Sequence, residues 1–310
     1  MEMIFLGTGS AWAIPEHSCD CAICAKLKKE GEERTRTSLF FRGKHALLID
    51  CGPDIRSQMM KNNVSRPDAI LITHEHADHF LGLDDLHAFR RSVPRDDWTP
   101  IPVYATAAAW QSIEVRFSYL LGQVIEKRIV APGEEFMAAG ARVTPFKTYH
   151  GASAPGSVGY CVEFPLESGS RKVIYTADFM SIPDEPSWLA HPDILVMQSH
   201  WFNEPEHNRP CHMSFQQAIS YIKKWAPRRA TYLVHISDGD QVPGDPANTY
   251  LKKMVPLNPL AHPVTGTPYP VPRCRSEWQD VVNEVCKDYE APGPVFVPGD
   301  GTVVPLLEAV

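Results

Sequence analysis

The amino-acid sequence predicts an α/β fold. Short runs of apolar and β-branched residues recur along the chain, as is typical of strands. Stretches with helical patterning lie between several of these runs. This order favours an α/β or α+β sandwich over an all-β barrel. With 44% hydrophobic and 22% charged residues among 310, the composition is that of an ordinary globular protein.

Several predicted strands end on histidine or aspartate, which places potential metal ligands and catalytic groups at the strand ends. The predicted strands are 1–7, 37–43, 45–52, 68–74, 101–105, 123–130, 141–150, 157–164, 172–178, 193–198 and 230–237. Helices are predicted over 106–121, 214–226 and 276–289. The last two begin with a serine followed three residues later by glutamine, which is the spacing of a capping box. These pairs are Ser214 with Gln217 and Ser276 with Gln279.

The late part of the chain is rich in proline. Residues 255–273 contain six prolines, so this segment is predicted to be a loop or arm rather than a helix or central strand. Residues 293–307 resemble a terminal hairpin that turns at Gly299-Asp300-Gly301. No clear linker divides the sequence. We therefore expect one domain over 1–310, with an inserted proline-rich arm and helix at about 241–292.

Charge and hydropathy exclude several classes of function. The net charge is −7, and the one run rich in lysine and arginine, at 27–36, is interspersed with acids, which argues against a broad nucleic-acid interface. The first apolar run is too short for a signal peptide, and none approaches the roughly 18 residues of a membrane span. We expect a cytoplasmic protein without a membrane partner. In that compartment its eight cysteines are expected to be thiols or metal ligands.

Residues 70–86, "ILITHEHADHFLGLDDL", hold four potential metal ligands within six positions: His74, His76, Asp78 and His79. Imidazole nitrogens and carboxylate oxygens are the ligands that first-row divalent cations take in proteins. His74 and His76 could serve one ion, and Asp78 and His79 a second beside it. A solvated loop with chance histidines is the alternative, and the density of these residues argues against it.

The H-x-H-x-D-H pattern resembles the signature of the metallo-β-lactamase superfamily. The resemblance implies an αββα sandwich with a one- or two-metal site at one edge, and three further ligands in "TYHG", "YTAD" and "LVHIS". It assigns His74, His76 and His150 to one ion, Asp78, His79 and His235 to the other, and Asp178 to both. It also implies that Asp50, in "HALLIDCG", supports the metal loop.

Two such cations, Zn or Mn, would make hydroxide available near neutral pH and would neutralise charge on a phosphoryl or carbonyl oxygen. We therefore predict a hydrolase in which a metal-bridged hydroxide attacks the substrate. Asp78 is predicted to be catalytic as well as metal-binding.

The segment "HSCDCAIC" places Cys19, Cys21 and Cys24 close together, a spacing that suits a structural zinc with a fourth ligand from elsewhere. Three reduced cysteines in a loop are the alternative. The whole N-terminal stretch resembles the phosphoribosyl cyclic phosphate phosphodiesterase branch of the superfamily, from the carbon–phosphorus lyase pathway. That resemblance implies a fourth zinc ligand three residues after His235, where this sequence has Asp238 in place of histidine.

Other residues could complete the zinc site. Asp240 could compete with Asp238, and the two late cysteines, Cys274 and Cys286, stay open as ligands.

The same branch has a second histidine that protonates the leaving oxygen, and "RPCHMSF" places His212 at the matching position. A helix cap or surface role is the alternative for this histidine. His200 and His207 are the next candidates, and Arg209 could meet the substrate phosphate.

The predicted function is therefore a metal-dependent phosphodiesterase that acts on a small cyclic or organic phosphodiester. The alternatives are a lactonase, a thioesterase, a β-lactamase, an RNA-processing nuclease and a non-catalytic, metal-stabilised binding module. The few basic residues in 255–273 argue against the nuclease, and the complete ligand set argues against the binding module. The proline-rich arm could reach a partner subunit, so a homodimer stays open.

Overall fold

Two seven-stranded sheets form the centre of the protein in a computed structural model, which describes residues 1–166, 169–209 and 211–306. The strands are β1 (Glu2–Gly7), β2 (Ser38–Arg42), β3 (Leu47–Ile49), β4 (Ala69–Leu71), β5 (Ile101–Ala105), β6 (Ile125–Ile129), β7 (Phe136–Ala138), β8 (Ala141–Lys147), β9 (Val158–Leu166), β10 (Gly169–Tyr175), β11 (Ile194–Gln198), β12 (Ala230–Val234), β13 (Val295–Phe296) and β14 (Thr302–Pro305). One sheet has the order β14-β1-β2-β3-β4-β5-β6 and the other β13-β12-β11-β10-β9-β8-β7.

The α-helices are α1 (Ala22–Glu30), α2 (Ile55–Lys61), α3 (Ala77–Phe80), α4 (His87–Arg91), α5 (Ala107–Phe117), α6 (Phe215–Trp225) and α7 (Arg275–Asp288). The capping box predicted at Ser214 is present at the start of α6. The one predicted at Ser276 is wrong. Helix α7 begins one residue earlier after Cys274, and the Gln279 side chain pairs instead with the backbone of Val295 and Val297, at 2.8 Å each.

Buried side chains form three layers of core. One core lies between the two sheets, and each sheet also buries its outer face against helices. The period of two along β2 shows how this arises, because Leu39 and Phe41 enter the central core while Phe40 faces the helices. The predicted α/β sandwich of the αββα type is confirmed.

The predicted terminal hairpin is wrong. Strand β13 runs parallel to β12 in one sheet, whereas β14 pairs antiparallel with β1 in the other. The turn between them is held next to the sheet that contains β1. The Asp300 carboxylate accepts hydrogen bonds from the Thr8 hydroxyl (2.8 Å) and the Thr35 backbone N–H (2.7 Å). Leu307, the last residue of the predicted hairpin, lies outside the described residues.

Residues 255–273 form an irregular arm without sheet strands or helices, as the prolines predict. Leu260 and Tyr269 anchor it in the core that also contains α7. The single-domain organisation stays a prediction. In the part of the chain that the structure describes, every helix is too short or too polar to cross a bilayer.

Candidate metal centre

The candidate metal centre lies at one edge of the two sheets, just beyond the ends of β4, β8, β10 and β12. Strands β10, β11 and β12 run parallel. Strand β8 points the same way, because two antiparallel pairings separate it from β10. The carboxyl ends of strands with one direction meet at one edge of a sheet. The fold therefore brings His74, His150, Asp178 and His235 to the same place.

The loop after β4 is packed tightly against the chain that follows β3. A Cβ atom on Gly52 would lie 2.1 Å from the Asp78 carbonyl oxygen, and one on Gly82 would lie 2.0 Å from the Gly52 carbonyl oxygen. Both positions therefore require glycine. The backbone N–H of Cys51 also donates to the carbonyl of His79 at 2.7 Å. These contacts fix the backbone that carries the ligand motif.

The structure brings His74, His76 and His150 together as one group of possible metal ligands. His150 Nε2 lies 3.1 Å from His76 Nδ1. The other ring nitrogens are held by protein, because His74 Nδ1 lies 3.0 Å from the Thr73 hydroxyl and His150 Nδ1 lies 3.0 Å from the Cys211 carbonyl. The remaining nitrogens therefore face one another and are available to a cation.

Asp78, His79, Asp178 and His235 form the second group. His79 Nε2 lies 3.1 Å from Asp78 Oδ2, and His235 Nε2 lies 3.0 Å from Asp178 Oδ2. Asp178 Oδ2 is also 3.5 Å from His79 Nε2 and 3.8 Å from His150 Nε2. Asp178 thus lies between the two groups, where the resemblance places a shared ligand.

Three buried imidazole nitrogens indicate whether these residues are suited to binding cations. Nε2 of His74 has no partner among the residues that the structure describes, and Nε2 of His79 and of His235 have only the carboxylates of Asp78 (3.1 Å) and Asp178 (3.0 Å) beside them. Leaving a buried polar atom unpaired costs about 1–3 kcal/mol. Divalent cations would satisfy all three atoms together with the carboxylates. The donor set therefore fits a metal site.

The ionisation of the site shows what a cation would replace. Burial opposes the charge on Asp78 and Asp178, but the adjacent His79 and His235 hold the pKa of both carboxyls well below its usual range. Burial likewise opposes protonation of His79 and His235, but the carboxylates raise the pKa of His79 well above its usual value and that of His235 to about 9. In the absence of metal, protons therefore neutralise the carboxylates.

Asp50 supports the loop, as the resemblance implies. Its backbone has a φ of +62°, and its fully buried carboxylate lies 2.7 Å from His79 Nδ1 and accepts the Thr73 backbone N–H at 2.9 Å. A carboxylate on the second ring nitrogen fixes both the tautomer and the orientation of a ligating imidazole. Asp50 thus directs His79 Nε2 towards the second group.

His212 lies beside the metal ligands, with Nδ1 3.6 Å from Asp178 Oδ2. Its partner is Gln198, which sequence reasoning missed. The Gln198 Oε1 accepts the backbone N–H groups of Phe179 (2.9 Å) and Met213 (3.1 Å), so Nε2 is the donor to His212 Nδ1 at 2.7 Å. Neutral His212 therefore carries its proton on Nε2. The one available signal was the place of Gln198 at a strand end, like the ligands themselves.

The other candidates near His212 differ in position. His200 belongs to the site, because its ring stacks on His212 with centroids 4.0 Å apart and its Nδ1 lies 3.2 Å from His235 Nδ1. His207 and Arg209 are exposed side chains on the loop that follows β11.

Cys19, Cys21, Cys24 and Asp238 form a separate buried cluster with donor atoms within 4.8 Å of one another. Asp238 Oδ2 lies 2.8 Å from Cys24 Sγ and 3.6 Å from Cys21 Sγ. The hydrogen bond with Cys24 lowers the pKa of the Cys21 thiol to about 6, whereas the same hydrogen bond, burial and Asp238 raise the pKa of Cys24 well above its usual value, so one thiolate is favoured in the absence of metal. Three thiols and one carboxylate in this arrangement fit a tetrahedral zinc.

The alternative fourth ligands lie elsewhere. The Asp240 carboxylate instead accepts the backbone N–H groups of Phe202 (2.8 Å) and Asn203 (3.0 Å). Cys274 and Cys286 are buried outside the cluster, and all eight cysteines are free thiols.

A four-layer sandwich with histidine and aspartate ligands beyond its strand ends defines the class of metallo-β-lactamase-like proteins. The family model of the beta-lactamase superfamily domain matches residues 45–236. The chain belongs to this superfamily, and the predicted membership is confirmed.

Known proteins resemble the chain to different extents. It is 35% identical over 248 residues to an octanoyltransferase of Porphyromonas gingivalis, a match that covers 76% of this chain and 46% of that protein. The chain spans about half the length of the curated relatives it matches.

Two solved structures share the fold over almost the whole chain. A diphosphatase from the PhnP family superposes with a TM-score of 0.70 at 25% identity, covering 98% of this chain and 97% of that one. Zinc-bound PqqB from Methylobacterium extorquens also has a TM-score of 0.70, at 19% identity, covering 98% of this chain and 100% of that one, which shows the fold alone.

Proposed function

We propose that the chain is a metal-dependent phosphodiesterase that cleaves a small cyclic or organic phosphodiester in the cytoplasm. The observation that carries the proposal is the position of Asp178, whose Oδ2 lies 3.8 Å from His150 Nε2, 3.0 Å from His235 Nε2 and 3.6 Å from His212 Nδ1. A carboxylate shared by two ligand groups, next to a group able to donate a hydrogen bond to the leaving oxygen, is what two-metal hydrolysis requires. The likeness to a PhnP-family diphosphatase supports a phosphate ester as the substrate.

The residues divide into three sets of ligands. His74, His76 and His150 would hold one divalent ion, Asp78, His79 and His235 a second, with Asp178 shared, and Cys19, Cys21, Cys24 and Asp238 a structural zinc. The ions of the active site supply a water of lowered pKa and positive charge for the phosphoryl oxygens. Nitrogen and carboxylate donors suit zinc or manganese.

His212 acts on the leaving group. Burial and the adjacent His200 lower its pKa well below the usual value, so the ring is neutral. Gln198 leaves the proton on Nε2, which is then the donor to the oxygen on which negative charge grows as the P–O bond breaks. The ring of His200 stacks on the ring of His212 and limits its rotation. Asp78 would take part in catalysis as a ligand of the second ion, together with His79 and His235.

Hydrolysis of an acyl ester or thioester is the second candidate. The observation in its favour is the 35% identity to an octanoyltransferase, a protein that acts on an acyl group. The match leaves more than half of that protein uncovered, so the acyl chemistry could reside in the remainder. The Nε2–H of His212 could donate a hydrogen bond equally to a phosphate oxygen or to an acyl leaving group.

The experiment is a screen of the purified chain, with zinc and with manganese, against cyclic phosphates, bis(p-nitrophenyl) phosphate, a lactone and an acyl thioester. We expect the largest kcat/KM for a phosphodiester. Turnover confined to the lactone or thioester would support the second candidate. Bound metal without turnover of any substrate would support the non-catalytic binding module.

Two histidine variants test whether the turnover found in the screen depends on the proposed metal ligands. His76→Ala removes a proposed ligand and is expected to abolish turnover. His207→Ala removes an exposed histidine and is expected to leave turnover unchanged.

A further inference from the structure

The fourth member of the cysteine cluster is a carboxylate, and this changes the charge of the site. Three thiolates and one carboxylate around Zn²⁺ carry a formal charge of about −2, whereas a neutral imidazole in the fourth place would leave about −1. Cys21, Cys24 and Asp238 are almost completely buried. Surplus charge is costly where water cannot solvate it. A zinc site built with Asp238 therefore needs a nearby cation.

Two consecutive lysines meet this need. Lys252 Nζ contacts Asp238 Oδ2, the oxygen that faces the cysteine sulfurs, and also lies 2.9 Å from Glu16 Oε2. Lys253 is buried, and its Nζ donates to the backbone carbonyls of Asp238 (2.6 Å) and Asp240 (2.9 Å). One lysine thus acts on the side chain of Asp238 and the other on its backbone.

The segment that carries these lysines is fastened to the cysteine loop. The Asp245 carboxylate accepts the backbone N–H of Ala22 at 2.8 Å, and the Tyr250 hydroxyl donates to the Asp20 carboxylate at 2.6 Å. Both partners are next to cysteines of the cluster. The beginning of the late insertion therefore encloses the cysteine site and holds Lys252 in place.

We propose that Lys252 is a positioning residue for the structural zinc: its charge allows Asp238 to serve as the fourth ligand. The lysine and the carboxylate then work as a pair, and neither is optimal for zinc without the other. The inference rests on the proposed structural zinc and is independent of the reaction at the other site. It also gives a role to the start of the insertion at 241–292.

The test is a double-mutant comparison in the chain of 310 residues. Lys252→Met is made in the native chain and in an Asp238→His background, and zinc affinity is measured by competition with a chelator of known affinity. Cobalt then serves as the spectroscopic probe. Thiolate-to-cobalt charge transfer reports the cysteine site alone, because the proposed ligands of the active site are histidine and aspartate.

We expect Lys252→Met to weaken zinc binding about 10-fold or more in the native chain, because it leaves a charged ligand without its partner. In the Asp238→His background the same change is expected to alter affinity less than about 3-fold, since the added negative charge is gone. Lys252→Arg is expected to restore most of the affinity. Lys26→Met is the matched control, because Lys26 has a similar 2.9 Å contact with Glu30.

Equal losses in the two backgrounds, or native affinity in Lys252→Met, would overturn the pairing of Lys252 with Asp238. Absence of the thiolate-to-cobalt band from the unmodified protein would overturn it as well, because Lys252 would then neutralise the cluster without metal. Phosphodiester turnover is measured on the same samples. A failure of the proposed reaction is thereby kept distinct from a failure at the zinc.

Discussion

The two candidate metal sites of this protein are built in different ways. The histidine–aspartate centre takes its ligands from strand ends, so the two sheets determine where its donor atoms lie. The cysteine site takes three ligands from residues 19–24 and the fourth from the loop after β12, so loop contacts determine its geometry. A site built on strand ends can stay open to substrate, because the sheets fix the positions of its ligands. A site built from loops can surround its ion completely, and the same loops can supply oppositely charged side chains.

The sites meet in the loop after β12, where His235 and Asp238 are three residues apart. A change in one site could therefore reach the other through this short connection. The following variants separate the two sites, beginning with the largest expected effect.

Asp178→Asn should have the largest effect, because this residue lies between both ligand groups. We expect turnover to fall about 10³-fold or more, together with the metal content of the active site. Steady-state kinetics and elemental analysis measure the two quantities. Asp97→Asn, at an exposed position, is the control. Native turnover in Asp178→Asn would show that Asp178 is not a ligand shared by the two ions.

His212→Ala should separate stabilisation of the leaving oxygen from metal binding. We expect the rate to fall about 10²-fold for a substrate with a poor, alkoxide leaving group, and much less for a p-nitrophenyl ester. The metal content should not change. A plot of rate against leaving-group pKa provides the measurement. An equal loss for both kinds of substrate would contradict the role of His212 as hydrogen-bond donor to the leaving oxygen.

Cys21→Ser should act on stability more than on the active-site ions. Loss of the zinc is expected to lower the free energy of unfolding by about 3 kcal/mol, while turnover of the folded protein falls less than about 3-fold. Thermal unfolding and kinetics on the same sample measure both. Cys286→Ser changes a buried cysteine outside the cluster and serves as the control. A stable Cys21→Ser variant with no zinc would refute the structural role.

Metal affinity of the histidine–aspartate centre should rise with pH. The carboxylates raise the pKa of His79 well above its usual value and that of His235 to about 9, so both rings must lose a proton to bind metal. Affinity is therefore expected to fall as the pH drops below about 9, by up to about 10-fold per unit for each proton released. Competition titrations between about pH 6 and pH 9 test this. Affinity that does not vary with pH would contradict the proton displacement.

Gln198→Met should have the smallest effect on rate among the variants of the histidine–aspartate centre. The side chain is similar in size but cannot donate to His212 Nδ1, so the ring is no longer held with its proton on Nε2. It also leaves the backbone N–H groups of Phe179 and Met213 without their acceptor, so the rates are measured on protein shown to be folded. We expect a decrease of about 10-fold, confined to poor leaving groups. The ¹⁵N chemical shifts of the His212 ring should show the Nε2–H tautomer in the unmodified protein and a mixture in Gln198→Met. Unchanged shifts would show that Gln198 does not set the tautomer.

Much of the fold and most of the candidate site could be predicted because both depend on local patterns. Runs of apolar residues predicted the main strands, and polar residues at their ends predicted His150, Asp178 and His235 once the first motif was recognised. Gln198 and the Cys211 carbonyl were not predicted. A glutamine at a strand end and a backbone carbonyl carry no distinctive sequence signal, and their roles depend on which segments meet in three dimensions.

The wrong predictions have the same origin. The start of α7 is set by Glu32, whose carboxylate accepts the Arg275 backbone N–H at 3.0 Å from a distant part of the chain. The last two strands join different sheets because Asp300 binds Thr8 and Thr35. Strand β7 was also missed, because its apolar run, Phe136–Ala138, is only three residues long. The start of α7 and the separation of the last two strands depend on long-range contacts, which a pattern of neighbouring residues does not contain.

The central claim is that seven histidine and aspartate side chains hold two cations that share Asp178, and crystallographic anomalous scattering at the metal absorption edges tests it most directly. We expect two anomalous peaks at this centre, each close enough to Asp178 for coordination. One should lie among His74, His76 and His150, and the other among Asp78, His79 and His235. A single ion whose coordination is completed by protein, or no ion in a crystal grown with zinc or manganese, would contradict it.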